Sequence, residues 1–215
     1  DMCELDERVC AVSRDWLPGL HAGAFDDPRL HLHVGDGRRF LETRAAAYDV
    51  VVMDMTDPGG PATAMYTREH IQTVQASLRD EHGLFVMHAE GPLARPRAQQ
   101  QILSTVASVF PSQVCLDVYI PMYGTLWTLV IAGDALPPSC DLQALDAVLT
   151  RRGISGLQWY CGASHAAALA APPWLQQLRE ESRQAPVVTD AQPNFEDEQV
   201  VTANEAWAAR LRQTT

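Results

Sequence analysis

The chain has 215 residues, 47% of them apolar, and carries a net charge of −11. That is enough for one sizeable domain with an appendage, and too apolar for a disordered chain. The acidic balance lacks the basic patch that nucleic-acid backbones require, and no apolar run has the length of a membrane span or the form of a signal peptide, so the expected setting is the cytoplasm.

Met2-Cys3 reads as the end of a strand, with an acidic cluster (Glu4, Asp6, Glu7) directly after it. Glu7 to Leu20 follows as a helix, with Val9, Val12, Trp16 and Leu17 near helical spacing and Pro18-Gly19 as its stop. Arg29 to Val34 alternates as a strand, closed by Gly35-Asp36-Gly37, and Arg38 to Ala47 is a short helix. Tyr48 to Met53 is a nearly continuous apolar strand, the pattern of a parallel strand covered on both faces, and it ends at Asp54. A Gly/Pro-rich loop, Asp57 to Pro61, leads to a helix over Thr67 to Asp80 with Ile71, Val74 and Leu78 inward. Gly83 to His88 is a second buried strand, and Arg95 to Phe110 a helix with Ile102, Val106 and Val109 on its core side.

Val114 to Tyr119 and Thr125 to Ala132 are two strands around the turn Pro121-Met-Tyr-Gly124. Strands alternating with helices predict a doubly wound α/β sheet, and the final strand pair an antiparallel edge hairpin. Asp134 to Pro138 marks a boundary; Asp141 to Arg151 and His165 to Arg183 read as helical. Residues 1–183 form the expected main domain and residues 184–215 a polar, acidic and then Ala-rich tail.

Five scattered cysteines without a CxxC pair argue against a disulfide framework and a zinc site, and read as buried free thiols. All 16 residues counted as Lys or Arg are Arg, which removes lysine nucleophiles and Schiff-base chemistry.

Open α/β sheets bind ligands beyond the carboxyl ends of their strands. Glu4, Asp36, and Asp54 with Asp57 stand at three such ends. Glu4 suits hydrogen bonds from ribose hydroxyls, and Asp36 between two glycines can approach a base or amine closely. Asp54 and Asp57 place two carboxylates in one loop. Such a pair can hold an ammonium group, bind a metal, or divide acid and base roles; the competing reading is an Asx turn leading into Pro58. For a metal, His88 and Glu90 are the further candidate ligands.

Tyr48 to Ala62 resembles the signature loop of spermidine synthases and related polyamine aminopropyltransferases. Cys3-Glu-Leu-Asp6, Asp27-Pro-Arg-Leu with Gly35-Asp-Gly37, Met65-Tyr-Thr, Gly83 to Glu90, Ile120 to Gly124 with Trp127, and Trp159-Tyr160 with His165 extend the likeness over about residues 2 to 178. It implies a Rossmann-like fold of the class I methyltransferase type and transfer of the aminopropyl group of decarboxylated S-adenosylmethionine to a di- or polyamine, putrescine foremost, with 5′-methylthioadenosine released.

By the same resemblance, Asp54 assists deprotonation of the attacking amine, and Asp57, Tyr123 and His88 line the amine pocket. Glu4, Asp36, Gly37, Pro61 and Ala62 contact the nucleoside. No cofactor and no metal are implied, and the expected assembly is a homodimer or homotetramer. The glycine-rich turn and first strand that precede Met2 in that pattern are lacking, as is the family's small N-terminal β-domain, so an exposed sheet edge is expected. His88 stands where many members carry Gln; it either tunes the amine pocket or is a satisfied core histidine. Two other readings remain open: an S-adenosylmethionine-dependent methyltransferase, and a non-catalytic polyamine-binding relative.

Overall fold

Strand β1 (Met2–Glu4) pairs in parallel with β2 (Leu32–Val34), Glu4 standing opposite Val34. Between them run α1 (Glu7–Trp16), α2 (Pro18–His21) and a 3₁₀ turn (Ala24–Asp26). The Asp6 side chain caps α1 by accepting from Arg8 N. Pro18 does not merely stop α1, as the sequence predicts; it opens α2, because a missing N–H is harmless at a first helical position. This computed structural model describes residues 1–136 and 142–195.

The chain continues through α3 (Gly37–Glu42), β3 (Val50–Met53), a 3₁₀ turn (Gly60–Met65), α4 (Arg68–Ser77), β4 (Leu84–His88) and α5 (Pro96–Ala107). Then come β5 (Ser112–Ile120), β6 (Thr125–Gly133), α6 (Leu142–Arg151), α7 (Gly162–Leu169) and α8 (Pro173–Glu181). The single helix expected over His165 to Arg183 is two helices: Pro172-Pro173 cannot continue α7, and Pro173 starts α8. Several predicted elements are shorter at their ends; α3 stops at Thr43 rather than reaching Ala47.

A second sheet has the order β3-β4-β6-β5. β3 and β4 are parallel, while β4–β6 and β5–β6 are antiparallel, so the edge hairpin is present and longer than expected. The architecture is the doubly wound α/β type, with its strands divided between two sheets. Among the described residues β3 pairs with β4 alone, and the exposed edge expected from the sequence is there: Val50 is 49% and Val52 63% accessible. That overturns the prediction of a strand covered on both faces, since only Met53 of β3 is buried.

The core lies where α4 and α5 pack against β4 and β6: Ile71, Val74, Leu78, Phe85, Met87, Ile102, Val106, Val130 and Ala132, with Phe85 stacked on Phe110 at 5.8 Å. Burying each large side chain of this kind contributes about 1.5–3 kcal/mol. In α1, by contrast, Val9, Val12 and Trp16 are exposed and only Cys10 is buried. The thiols are not uniformly buried either. Cys3 and Cys161 are exposed, Cys10 is buried, and Cys115 is half-buried, its thiol pushed up to about 11 by burial. Cys140 lies outside the described residues, as do part of the predicted boundary at Asp134 to Pro138 and the Ala-rich tail from residue 196. No helix of the described residues is long and apolar enough to cross a membrane.

Candidate active site

The carboxyl ends of β1 to β4 set out the acidic residues along one edge. Glu4 ends β1; its Oε1 accepts from Asp6 N at 2.9 Å, and its carbonyl accepts from Gly35 N at 2.8 Å. That second bond ties the Glu4 loop to Gly35-Asp36-Gly37. Asp36 is exposed and caps α3, accepting from Arg38 N at 2.9 Å and Arg39 N at 3.4 Å. Gly37 packs close to Cys3 and Met65: a Cβ built on it would lie 3.7 Å from Cys3 Cβ and 3.9 Å from Met65 Cε. The segments predicted to contact a nucleoside therefore meet the far end of the carboxylate loop.

Asp54 and Asp57 follow β3, and both are exposed. The loop is anchored from beneath by Tyr66 and His88. The Tyr66 hydroxyl donates to Thr56 O at 2.7 Å and stands 2.8 Å from His88 Nε2, which is also 2.9 Å from Met55 O. Tyr66 is 1% accessible and His88 7%. Burial, with the Glu90 and Asp57 carboxylates nearby, pushes the Tyr66 phenol well above its ordinary range, so it stays protonated and serves as a fixed donor.

Glu90 was named from the sequence only as a further ligand should a metal bind. It is 1% accessible, in the left-handed region at φ +64°, and its Oε1 accepts from Arg95 Nη1 at 3.0 Å. A buried non-glycine residue there needs enforcement by its surroundings. The backbone supplies it: Ala89 N donates to Thr128 O at 2.7 Å, and Thr128 N to Glu90 O at 3.1 Å. Thr128 Oγ1 donates to Asp117 Oδ1, whose other oxygen accepts from Arg179 Nη2 at 2.6 Å. The sequence signals for Glu90 are its place after a buried strand and its inclusion in the segment Gly83 to Glu90 that carries the resemblance; its dihedral and its Arg95 partner leave none.

One ligand atom each of Asp57, His88 and Glu90 lie within 4.8 Å of one another, the group among the described residues that could hold a metal ion. Ring stacking closes one side. His88 stacks on Trp127 at 5.7 Å between ring centroids, and Trp127 meets the half-exposed Tyr123 at 4.9 Å. Tyr123 is held by the hairpin turn, where Gly124 adopts φ +64° and its N–H donates to Ile120 O at 3.0 Å. The structure thus gathers Asp57, His88 and Tyr123 around Glu90 and Trp127. Asp54 stands three residues before Asp57 in the same loop, and Pro61 and Ala62 lie in the 3₁₀ turn beyond it.

Two carboxylates and a ring nitrogen within 4.8 Å of one another can receive a ligand rich in N–H donors or hold a metal ion.

Comparison with known proteins places these features in a group. Residues 1–144 match the spermine/spermidine synthase domain. The polyamine aminopropyltransferase of Nitrosomonas europaea is 39% identical over 181 residues, covering 84% of this chain and 55% of that protein. That of Korarchaeum cryptofilum is 32% identical over 193 residues, covering 89% and 59%. The chain therefore spans little more than half the length of these relatives. Among solved structures, spermidine synthase from Thermotoga maritima superposes with a TM-score of 0.71 at 22% identity, covering 83% of this chain and 59% of that one. A spermidine synthase in complex with the transition state analogue AdoDATO gives 0.75 at 23% identity, covering 83% and 60%. At such identity these two likenesses establish the fold.

Proposed function

The chain belongs to the spermine/spermidine synthase family, and from that premise we propose that it carries the catalytic site of a polyamine aminopropyltransferase, with decarboxylated S-adenosylmethionine as donor and putrescine or another short diamine as acceptor. The observation that carries this reading is the grouping of Asp57, His88 and Glu90 within 4.8 Å beside the Tyr123–Trp127 wall. It offers acceptors, where an anionic substrate would need donors. The relatives named polyamine aminopropyltransferase support the same class.

The chemistry follows from the residue types. A neutral amine attacks the methylene next to the sulfonium. The new C–N bond forms as the C–S bond breaks, its electron pair neutralises sulfur, and methylthioadenosine leaves. Before the attack the amine, bound as an ammonium, gives its proton to Asp54 and thence to solvent; the ammonium formed at nitrogen leaves as the product. Sulfur already carries positive charge, so the leaving group needs no acid. The amine is the obstacle: an alkylammonium has a pKa near 10.4 against about 3.9 for an ordinary Asp. The described residues leave Asp54 exposed and do not desolvate it themselves. In this reading the bound nucleoside and amine exclude water themselves. Positioned proton transfer then contributes about 10²–10⁴-fold, and alignment of nitrogen with the C–S bond adds to it.

The test supplies decarboxylated and intact S-adenosylmethionine with a panel of amines and measures methylthioadenosine and S-adenosylhomocysteine. Release of methylthioadenosine dependent on a diamine is expected. Release of S-adenosylhomocysteine alone would establish a methyltransferase instead.

A further inference from the structure

Residues 185–195 lie beyond the stretch matching the family domain, which ends at residue 144. They run back across the molecule. Ser104 Oγ donates to Ala185 O at 2.7 Å, Val188 N donates to Thr105 Oγ1 at 3.0 Å, and Arg68 N donates to Val188 O at 2.8 Å. Val188 is 1% accessible, so this strap is seated in the fold, on α5 and the start of α4.

Beyond Val188 the strap reaches the carboxylate loop and the 3₁₀ turn that follows it. At the turn, Asp190 receives two bonds from Arg38, Nη1 to Oδ1 at 2.9 Å and Nη2 to Oδ2 at 2.5 Å. Arg38 Nη1 also donates to Ala64 O at 2.9 Å, inside the 3₁₀ turn that closes the loop. Thr67 Oγ1 donates to Asp190 Oδ1 at 2.7 Å, and Asp190 N donates to Glu69 Oε2 at 2.9 Å. At the loop, Phe195 packs edge-on against Tyr66 at 5.9 Å between centroids, and Tyr66 holds Thr56 O between the two aspartates.

We propose that Asp190 and Phe195 are positioning residues for the site: the strap holds the segment running from the Asp54–Asp57 loop into the 3₁₀ turn at two points, Asp190 through Arg38 to Ala64 in the turn and Phe195 through Tyr66 to Thr56 in the loop. A bidentate Arg–carboxylate pair fixes direction as well as distance, which suits it to aiming a turn. An edge-on aromatic contact fixes the ring plane of Tyr66 and so the line of its O–H. The assignment rests on the reading of that loop as catalytic, whereas the clamp itself is tested independently of turnover.

The test uses the full chain and four variants: Asp190→Ala, Asp190→Asn, Phe195→Ala and Phe195→Leu. Amide hydrogen exchange is followed peptide by peptide, beside methylthioadenosine release at varied amine concentration. Asp190→Ala is expected to speed exchange over residues 60–66 about tenfold, and Phe195→Ala over residues 54–58 by a similar factor, with β4 and α5 unchanged. The conservative Asn and Leu variants, which preserve shape, recover part of the protection. In turnover the alanine variants lower kcat about tenfold with amine KM nearly unchanged. Unchanged exchange over 54–66 in both alanine variants overturns the clamp, as does an acceleration spread evenly through α4 and α5. An intact chain that releases no methylthioadenosine overturns the functional reading while leaving the exchange test in force.

Discussion

Tyr66 and His88 meet at 2.8 Å, and that contact assigns the histidine tautomer. The Tyr66 proton goes to Thr56 O, so toward His88 its oxygen accepts; Met55 O can only accept. His88 Nε2 therefore carries a hydrogen, and in the neutral ring Nδ1 is left as an acceptor. Nδ1 is buried with no hydrogen-bond partner among the described residues. Replacing Tyr66 by Phe removes the donor to Thr56 O and should cost about 1–3 kcal/mol of unfolding free energy, measured by denaturant titration. Replacing His88 by Ala should raise amine KM about tenfold and leave methylthioadenosine affinity unaltered, whereas His88→Gln, which retains an acceptor, should keep most of the affinity.

Asp54→Asn preserves size and removes the proton acceptor. Turnover should fall by about 10²–10⁴-fold, with nucleoside binding intact. Near-normal release of methylthioadenosine by this variant would remove Asp54 from the mechanism.

Gly83 is a packing requirement at the entry to β4. A Cβ there would stand 2.7 Å from Leu78 Cβ and 3.1 Å from Asp80 O, neither at the end of a flexible side chain. Gly83→Ala should cost about 1–3 kcal/mol, as overpacking does. An unchanged thermal midpoint would contradict the geometry.

His70 in α4 is fully buried, and neither ring nitrogen has a hydrogen-bond partner among the described residues. Burial foremost, then the Arg38 charge, lowers its pKa to about 4, against smaller opposing effects of Asp36 and Asp190. The unfolded chain, titrating near 6.5, binds the proton first. Stability from this residue is thus complete above about pH 6.5 and is lost as pH falls toward 4, by roughly 3 kcal/mol. Asp190, held below the usual carboxylate range by its bond to Arg38, contributes in a separate window: its share is present above an ordinary Asp pKa and lost only in stronger acid. Denaturant midpoints of His70→Leu should be flat from pH 6.5 to 4 where the parent declines; parallel profiles would refute the assignment.

What could be read from residues alone was what periodicity and strand ends encode. The inward positions of α4 and α5, the hairpin around Gly124 and the placing of Asp54 after β3 all follow from local pattern. Three things did not. Glu90 takes its dihedral and its Arg95 partner from tertiary bonds around Thr128. The apolar run of β3 by itself predicts cover on both faces; the exposure of Val50 and Val52 follows from what lies beside it, which only the resemblance signals. Pro18 and Pro173 each read as a stop or as a start according to the flanking chain.

The Arg38–Asp190 bond joins residues 152 positions apart. Closing so long a segment carries a loop entropy that grows as about 1.5RT ln n and must be met before the contact forms. On a ribosome, the aspartate loop and its surroundings emerge long before residue 190 does. If domains acquire structure as they are synthesised, the carboxylates are assembled early but aimed late, and a nascent chain short of Asp190 carries every acidic group of the site without the order that makes them a site.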